Sequence, residues 1–136
     1  MFILDTNVIS ALRRRRNAPK QLLTWAKETA HDVIYISVIT LLELEIGILS
    51  MERKDVAQGR LLRTWLERTI LPEFNGRILD VDSTIAMQCA RLHVPDPRAE
   101  RDALIAATAL VHGMAIVTRN VSDFAGTGVQ IVNPWD

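Results

Sequence analysis

The sequence predicts a single α/β domain over residues 1–136, with a central five-stranded parallel sheet and helices on both of its faces. Three observations predict this fold. Short apolar runs rich in β-branched residues alternate with helical patterns, as in parallel sheets that are covered by helices. Hydrophobic residues make up 49% of the 136 residues, which suits one buried core and excludes a disordered chain. No internal repeat or linker divides the chain.

The first half of the chain is predicted to contain two strands and three helices. Residues 2–4 form the first strand, and a short helix follows to about residue 13. Ala18-Pro19 opens the second helix, because proline is tolerated in a first helical turn. The β-branched and aromatic run 33–36 is the second strand. Ser37 caps the third helix, whose apolar residues fall near helical spacing.

Two features of the first and third helices are not explained by packing in the predicted core. Gly47 lies inside the third helix, where it costs about 1 kcal/mol relative to alanine, so we expect another backbone to pack closely against it. The four arginines at positions 13–16 end the first helix. We interpret them as a solvated helix end that suits the negative end of the helix dipole. A phosphate-binding patch is the weaker alternative, because neighbouring residues point around the helix and cannot all face one groove.

The second half of the chain adds three helices and three strands. The helices are predicted from Asp55 to just before Pro72, from Asp82 or Ser83 to about Val94, and from Asp96-Pro97 to the stop at Gly113. The strands are predicted within residues 77–81, at 115–117 and at 129–132. Prolines end the first two of these helices because proline cannot continue a helix. Glycine ends the third because it adopts left-handed backbone angles easily.

Right-handed crossovers restrict the order of the five strands. If strands one to three wind outwards and strands four and five return beyond the first, the order is 3-2-1-4-5. The switch point then lies between strands one and four, and ligands bind beyond the carboxyl ends of strands at such points. Asp5 ends the first strand, and Thr118, Asn120 and Asp123 follow the fourth. We therefore expect these side chains to surround one crevice.

Two of the acidic residues also have a purely structural interpretation. Asp5 can simply cap the helix that follows it. Glu43 lies three residues after Thr40, which is the spacing of a capping box. Glu43 and Glu45 lie about 200° apart on a helix that turns ~100° per residue, so they cannot share a site.

Composition narrows the class of protein. The 16 basic and 16 acidic residues balance to zero, so nucleic acid would bind only through a local patch. No apolar run approaches the ~20 residues that cross a bilayer, and the first strand leaves no room for a signal peptide. We expect a cytoplasmic protein with no membrane partner. Cys89, a single cysteine in an apolar helical stretch, excludes an internal disulfide and predicts a buried thiol. The three histidines lie in or beside helices and are expected to be structural: His31, His93 and His112.

Four short motifs occur in a fixed order along nearly the whole chain. They are Leu4-Asp5-Thr6-Asn7, Glu43-Leu44 with Gly47, Asp102-Ala103-Leu104-Ile105-Ala106-Ala107-Thr108-Ala109, and Thr118-Arg119-Asn120 followed by Asp123-Phe124. With these motifs the sequence resembles the PIN-domain ribonucleases of the VapC toxin type, and FitB-like members in particular. The charged segment 95–101, just before Asp102, departs from the family pattern.

The resemblance implies a metal-dependent endoribonuclease that cleaves RNA and is the toxin of a type II toxin–antitoxin pair. It implies Mg²⁺ or Mn²⁺ as cofactor, RNA as substrate, a VapB-like antitoxin as partner, and a homodimer. The catalytic residues implied are Asp5, Glu43, Asp102 and Asp123, with Asp5, Asp102 and Asp123 on the metal and Thr6, Thr118 and Asn120 in support. Carboxylate oxygens are the ligands that Mg²⁺ prefers, and a bound ion can orient a water and shield a phosphate.

Two other classes of protein fit the first strand less well. A haloacid-dehalogenase-like phosphatase needs a second aspartate where this chain has Asn7. Both that phosphatase and a receiver domain need a late lysine, whereas the last lysine here is Lys54. The alternative that stays open is a non-catalytic binding module, in which the PIN fold serves as a platform for a partner and the acidic crevice is inert.

Overall fold

The computed structural model describes residues 1–136 and contains five strands and seven α-helices. The strands are Phe2–Leu4 (β1), Ile34–Ser37 (β2), Ile78–Leu79 (β3), Ala115–Val117 (β4) and Ile131–Val132 (β5). The helices are Thr6–Arg13 (α1), Lys20–Glu28 (α2), Val38–Lys54 (α3), Val56–Trp65 (α4), Leu71–Glu73 (α5), Ser83–Leu92 (α6) and Glu100–His112 (α7). None of the helices is both long enough and apolar enough to cross a membrane.

The five strands form one parallel sheet in the order β3-β2-β1-β4-β5, which confirms the predicted topology. The central strand β1 pairs with β2 on one side and with β4 on the other. Leu4 at the end of β1 lies opposite Val117 at the end of β4. The residues that follow these two strands, Asp5 and Thr118, are therefore brought to one edge of the sheet.

Helices cover both faces of the sheet because successive side chains of a strand point to opposite faces. Leu4 and Val117 pack on one face with buried residues of α1, α2, α3 and the segment 66–74. Ile3 and Ile116 pack on the other face, mainly against α7. Helix α6 then packs on α7 through a small cluster that contains the buried Cys89. The buried thiol predicted from the sequence is confirmed.

Helix α7 begins at Glu100, so the predicted start at Asp96-Pro97 is wrong. Helix α6 also ends two residues earlier than predicted, at Leu92. The physical reason lies in the connecting segment, where the backbone N–H of Arg98 donates to His93 Nδ1 over 3.1 Å. The Arg98 side chain donates to the carbonyl of Ala125 over 2.9 Å. These two bonds hold the segment before α7 in a non-helical conformation.

Three other boundaries differ from the prediction. Pro19 precedes α2 as an extended N-cap residue and does not lie in its first turn. The long helix predicted to end before Pro72 is divided into α4, the π-helical turn Leu66–Ile70 and the short α5, which contains Pro72. Strand β5 is two residues long, because the backbone N–H of Val129 donates to Thr127 Oγ1 instead of to a neighbouring strand.

The expected close packing at Gly47 is also wrong. A Cβ atom built on Gly47 would meet nothing within 4 Å, so the fold itself does not require glycine there. Gly59 in α4 is the helical glycine that a backbone approaches closely, since its Cβ would lie 2.7 Å from Glu52 Cα on α3. The α3–α4 packing depends on Gly59, a residue that sequence analysis did not single out.

Candidate active site

Asp5 lies between β1 and α1 and accepts hydrogen bonds through both of its carboxylate oxygens. Oδ1 accepts from the backbone N–H of Thr6 over 2.8 Å, so the helix-capping interpretation is correct for this oxygen. Oδ2 accepts from the Thr118 hydroxyl over 2.9 Å and from Asn7 Nδ2 over 3.2 Å. The same carboxylate thus caps α1 and is fixed by a residue that follows β4.

Burial raises the pKa of Asp5 above its ordinary value. The hydrogen bonds from Thr118 and Thr6 lower the pKa in part, while the neighbouring charges of Glu43 and Asp123 raise it further. A buried carboxylate with carboxylate neighbours stabilises a bound proton or a bound cation. The electrostatics of Asp5 therefore favour a positive ligand.

Glu43 lies in the second turn of α3, where it faces Asp5 and does not form a capping box. The N-cap of α3 is Ser37, whose Oγ accepts from the backbone N–H of Ile39 over 3.0 Å. Glu43 Oε1 instead accepts from the Thr6 hydroxyl over 2.8 Å, and Thr6 Oγ1 lies 3.2 Å from Thr40 Oγ1. Thr6 therefore joins the start of α1 to α3 and orients the Glu43 carboxylate.

Glu45 faces a different direction, as its position on the helix predicts. It accepts from Arg63 Nη1 of α4 over 2.7 Å and takes no part in the crevice. The neighbouring glutamates thus have separate partners on opposite sides of α3.

Asp102 and Asp123 complete the group of carboxylates. Asp102 lies in the first turn of α7, and Asp123 lies in the 3₁₀ helix Val121–Phe124. The pKa of Asp102 is raised to about 6, mainly by burial and also by the charges of Asp5, Asp123 and Glu43, while Arg101 partly opposes the increase. Since four carboxylates act on one another, we name this group the carboxylate crevice: Asp5, Glu43, Asp102 and Asp123.

The two polar residues predicted after β4 contribute in different ways. The Thr118 hydroxyl donates to Asp5 and accepts from the backbone N–H of Asn120 over 3.0 Å. The backbone carbonyl of Asn120 in turn accepts from the backbone N–H of Asp123 over 3.1 Å. Asn120 therefore supports the crevice through its main chain rather than through its side-chain amide.

Sequence analysis missed the roles of Asn7 and Arg101. Asn7 Nδ2 contacts Asp5 and Thr118, and its Oδ1 accepts from the backbone N–H of Arg119 over 3.3 Å. Arg101 Nη1 lies 3.7 Å from Glu43 Oε2 and is half exposed. The signal for Asn7 was its place directly after Asp5-Thr6. Nothing in the sequence indicates that Arg101 reaches α3.

A second group of polar side chains lies between α6 and α7, and we name it the interhelical cluster: Cys89, His93 and Glu100. Their potential ligand atoms all lie within 4.8 Å of one another. His93 Nδ1 accepts from the backbone N–H of Arg98, so we assign the ring proton to Nε2, which lies 2.9 Å from Glu100 Oε2. This arrangement leaves no lone pair on His93 for a metal. Burial raises the pKa of the Cys89 thiol, and the charge of Glu100 raises it further. A raised pKa disfavours the reactive thiolate.

Comparison with known proteins identifies the fold family. A family model described as the PIN domain matches residues 2–128. The chain belongs to the PIN-domain family.

Two curated relatives match this PIN domain over nearly its whole length. It is 36% identical to toxin FitB of Neisseria gonorrhoeae, with 99% of each chain covered. It is 34% identical to VapC ribonuclease Y4jK of Sinorhizobium fredii, with 100% of this chain and 99% of the relative covered.

Solved structures share the fold. The crystal structure of FitAcB from Neisseria gonorrhoeae matches with a TM-score of 0.90 and 33% identity, covering 99% of each chain. A toxin–antitoxin complex from Klebsiella pneumoniae matches with a TM-score of 0.72 and 26% identity, covering 100% of this chain and 99% of the other. The arrangement of strands and helices described above is therefore that of solved PIN domains.

Proposed function

We propose that this PIN domain, spanning residues 1–136, is a metal-dependent endoribonuclease and the toxin of a type II toxin–antitoxin pair. The observation that carries the proposal is the carboxylate crevice, in which the pKa values of Asp5 and Asp102 are raised by burial and by neighbouring carboxylates. Similarity to a chain named as a ribonuclease and to one named as a toxin supports the reaction and the biological class. We also propose a cytoplasmic location, because the proposed substrate is RNA.

The residues of the crevice fit Mg²⁺ or Mn²⁺ by their chemistry. All of the donors are carboxylate oxygens, and no cysteine or histidine takes part, which suits hard divalent cations that retain several waters. Asp5, Asp102 and Asp123 would hold the ion. A bound ion supplies an acidified water and neutralises charge on the phosphate.

The side chains around the crevice would orient the reacting groups. Thr118 and Asn7 hold Asp5 Oδ2, so this oxygen keeps its orientation toward the crevice. Thr6 occupies Glu43 Oε1, whereas Oε2 has only the more distant Arg101 at 3.7 Å and would orient the attacking water or accept its proton. Arg101, close to Oε2, is placed to neutralise part of the charge on an incoming phosphate.

Cleavage of RNA separates this function from the non-catalytic binding module. We expect the purified chain to cleave single-stranded RNA in Mg²⁺ or Mn²⁺ and to be inactive in EDTA. Asp5→Asn should be inactive under all conditions. If the wild-type chain cleaves no RNA with either metal, or cleaves it equally well after Asp5→Asn, the nuclease function is refuted.

Growth measurements test the toxin assignment. Expression of the wild-type chain alone should slow growth, and co-expression with the product of an adjacent small gene should restore it. Asp5→Asn at equal abundance should be harmless. Equal growth with the wild-type and Asp5→Asn chains would remove the support for a nuclease toxin.

An apolar groove beside α1 and α2 is our proposed site for the antitoxin. The groove has a volume of about 780 Å³ and is lined largely by hydrophobic side chains, among them Leu12, Trp25, Trp65 and Phe74. Basic residues also line it, including Arg13 and Lys27. An amphipathic antitoxin segment with apolar and acidic side chains would complement both. Trp65→Ala should weaken co-purification of the antitoxin, whereas the exposed Met87→Ala on α6 should not.

Helix α3 carries an exposed apolar stripe that we propose as the homodimer interface. Leu42, Ile46 and Leu49 follow helical spacing and are 47%, 42% and 52% exposed. The open position of Gly47 on the same helix allows a second chain to approach closely. Ile46→Asp should convert a dimer into a monomer in light scattering. Leu61→Asp, on α4 and 61% exposed, serves as the matched control and should leave the dimer intact.

A further inference from the structure

A second cleft lies directly beside the carboxylate crevice. Its volume is about 330 Å³, and it is formed by the outer face of α1, the segment that follows α1, and residues near the C-terminus. Its polar and aromatic lining consists of Asn7, Ser10, Arg14, Asn17, Arg119 and Trp135. No acidic residue lines it. The charge of this cleft is therefore opposite to that of the crevice next to it.

Asn7 forms the wall between the two. Its Nδ2 donates to Asp5 Oδ2 within the crevice, and its Oδ1 accepts from the backbone N–H of Arg119 within the cleft. The cleft therefore adjoins the site proposed for cleavage.

The two arginines of the cleft are available to a ligand. Arg14 and Arg119 are both exposed, and neither belongs to any of the ion pairs of the structure. The guanidinium carbon of Arg119 lies 5.9 Å from the centre of the Trp135 ring, so the aromatic side chain restricts the position of this charge. The neighbouring Arg13 lies 5.8 Å from the ring of Trp65, at the apolar groove. Arg13 and Arg14, at the end of α1, therefore diverge, and Arg14 is the one that lines this cleft.

We propose that this cleft binds the nucleotide next to the cleaved phosphodiester of a single-stranded RNA. Arg14 and Arg119 contact its phosphates, and its base packs against the Arg119–Trp135 pair. Single-stranded RNA is commonly bound by basic grooves with aromatic or guanidinium surfaces on which bases stack. A chain of zero net charge that acts on a polyanion needs such a local basic patch beside its acidic site. The inference rests on the proposed ribonuclease function and assigns the position of its substrate.

Binding of a short, fluorescently labelled single-stranded RNA tests this assignment without requiring cleavage. Anisotropy is measured in EDTA over a range of salt concentrations, and a gel verifies that the RNA stays intact. Arg14→Gln and Arg119→Gln should each weaken binding and reduce the slope of log Kd against log salt by about 0.7. Trp135→Leu should weaken binding by about tenfold and leave the slope unchanged. The matched control is Arg60→Gln, an exposed arginine on α4 without an ion pair, which should change neither quantity.

The outcomes separate this inference from the function on which it rests. If the wild-type chain cleaves RNA but Arg14→Gln and Arg119→Gln bind RNA with the same Kd and slope as Arg60→Gln, the cleft assignment is overturned and the nuclease function stands. If the two variants lose binding while the wild-type chain cleaves nothing, the cleft is supported and the nuclease function fails. Melting curves identify any variant that has lost its fold, and the exposed Arg14 gives the readout least affected by folding.

Discussion

The carboxylate crevice and the interhelical cluster both bring potential metal ligands together, but they satisfy their polar atoms differently. In the interhelical cluster, His93 accepts a backbone N–H at one nitrogen and pairs with Glu100 at the other. Both ring nitrogens of His93 are therefore engaged, and the ring has no lone pair for an outside ligand. In the crevice, burial raises the pKa values of Asp5 and Asp102, and the neighbouring carboxylates raise them further.

This difference shows why close spacing of ligand atoms does not identify a functional site. The tightest group of possible ligands in the chain is the interhelical cluster, whose members complete one another. The crevice contains four carboxylates whose repulsion Arg101 offsets only in part, which is why we propose an external cation as its partner. Raised carboxylate pKa values, rather than the proximity of possible ligands, distinguish the site that we propose as the active site.

The largest expected effect separates the two glutamates of α3. Glu43→Gln keeps the shape of the side chain but removes its charge and its basicity, so cleavage should fall by about 10²- to 10⁴-fold. Glu45→Gln is the matched control, since Glu45 contacts Arg63 away from the crevice, and its cleavage rate should stay within a few-fold of wild type. Rates of cleavage of a labelled RNA measure both. Equal loss in the two variants would show that α3 is destabilised and that Glu43 has no special role.

The pH dependence of stability tests the raised pKa of Asp102 in the carboxylate crevice. A raised pKa means that folded Asp102 binds its proton more tightly than the unfolded chain does. The free energy of unfolding of the metal-free protein should therefore fall as pH rises from about 4 to about 6, by roughly 1 kcal/mol after solvent screening. Over the same range the stabilisation by Mn²⁺ should grow, because the ion replaces the proton. Asp102→Asn should weaken both trends in urea titrations, and the remainder should come from Asp5, whose pKa is also raised. Trends of unchanged size in this variant would exclude Asp102 as a source.

The smallest expected effect on cleavage concerns the interhelical cluster. Cys89→Ala removes a buried sulfur atom and should lower the free energy of unfolding by about 1 kcal/mol. Cleavage per folded molecule should stay within a few-fold of wild type, because the thiol does not contact the crevice. Addition of Zn²⁺ should shift the melting temperature of the two proteins equally. A larger shift in wild type than in Cys89→Ala would show that the cluster binds metal and that the two regions do not differ in this way.

The sheet and most of the crevice could be predicted because they depend on local patterns. Alternating elements and right-handed crossovers determine the strand order, and that order brings Asp5 next to Thr118. The start of α7 could not be predicted, since it depends on a bond between Arg98 and His93. The contact of Arg101 with α3 could not be predicted either, because it joins residues that are far apart in the sequence.

The glycines of α3 and α4 give a second example of this limit. Sequence alone marks Gly47 as costly within a helix, but only packing shows that the space around it is open and that α3 approaches Gly59 instead. Helix propensity identifies an unfavourable glycine, but only the packing around it shows whether glycine is required there.

Thermal unfolding of the wild-type and Asp5→Asn chains, in EDTA and with increasing Mn²⁺, tests the central claim most directly. Metal should stabilise the wild-type chain by about 2.7 kcal/mol at a hundredfold excess over its dissociation constant. Asp5→Asn relieves like-charge repulsion and keeps the Oδ1 cap of α1, but its amide nitrogen replaces the Oδ2 that accepts from Thr118 and Asn7. These effects oppose each other, so the variant should melt close to the wild-type temperature in EDTA. It should gain much less from Mn²⁺. An Asp5→Asn chain that melts well below wild type in EDTA and gains as much from Mn²⁺ would show that Asp5 is a structural cap and not part of a metal site.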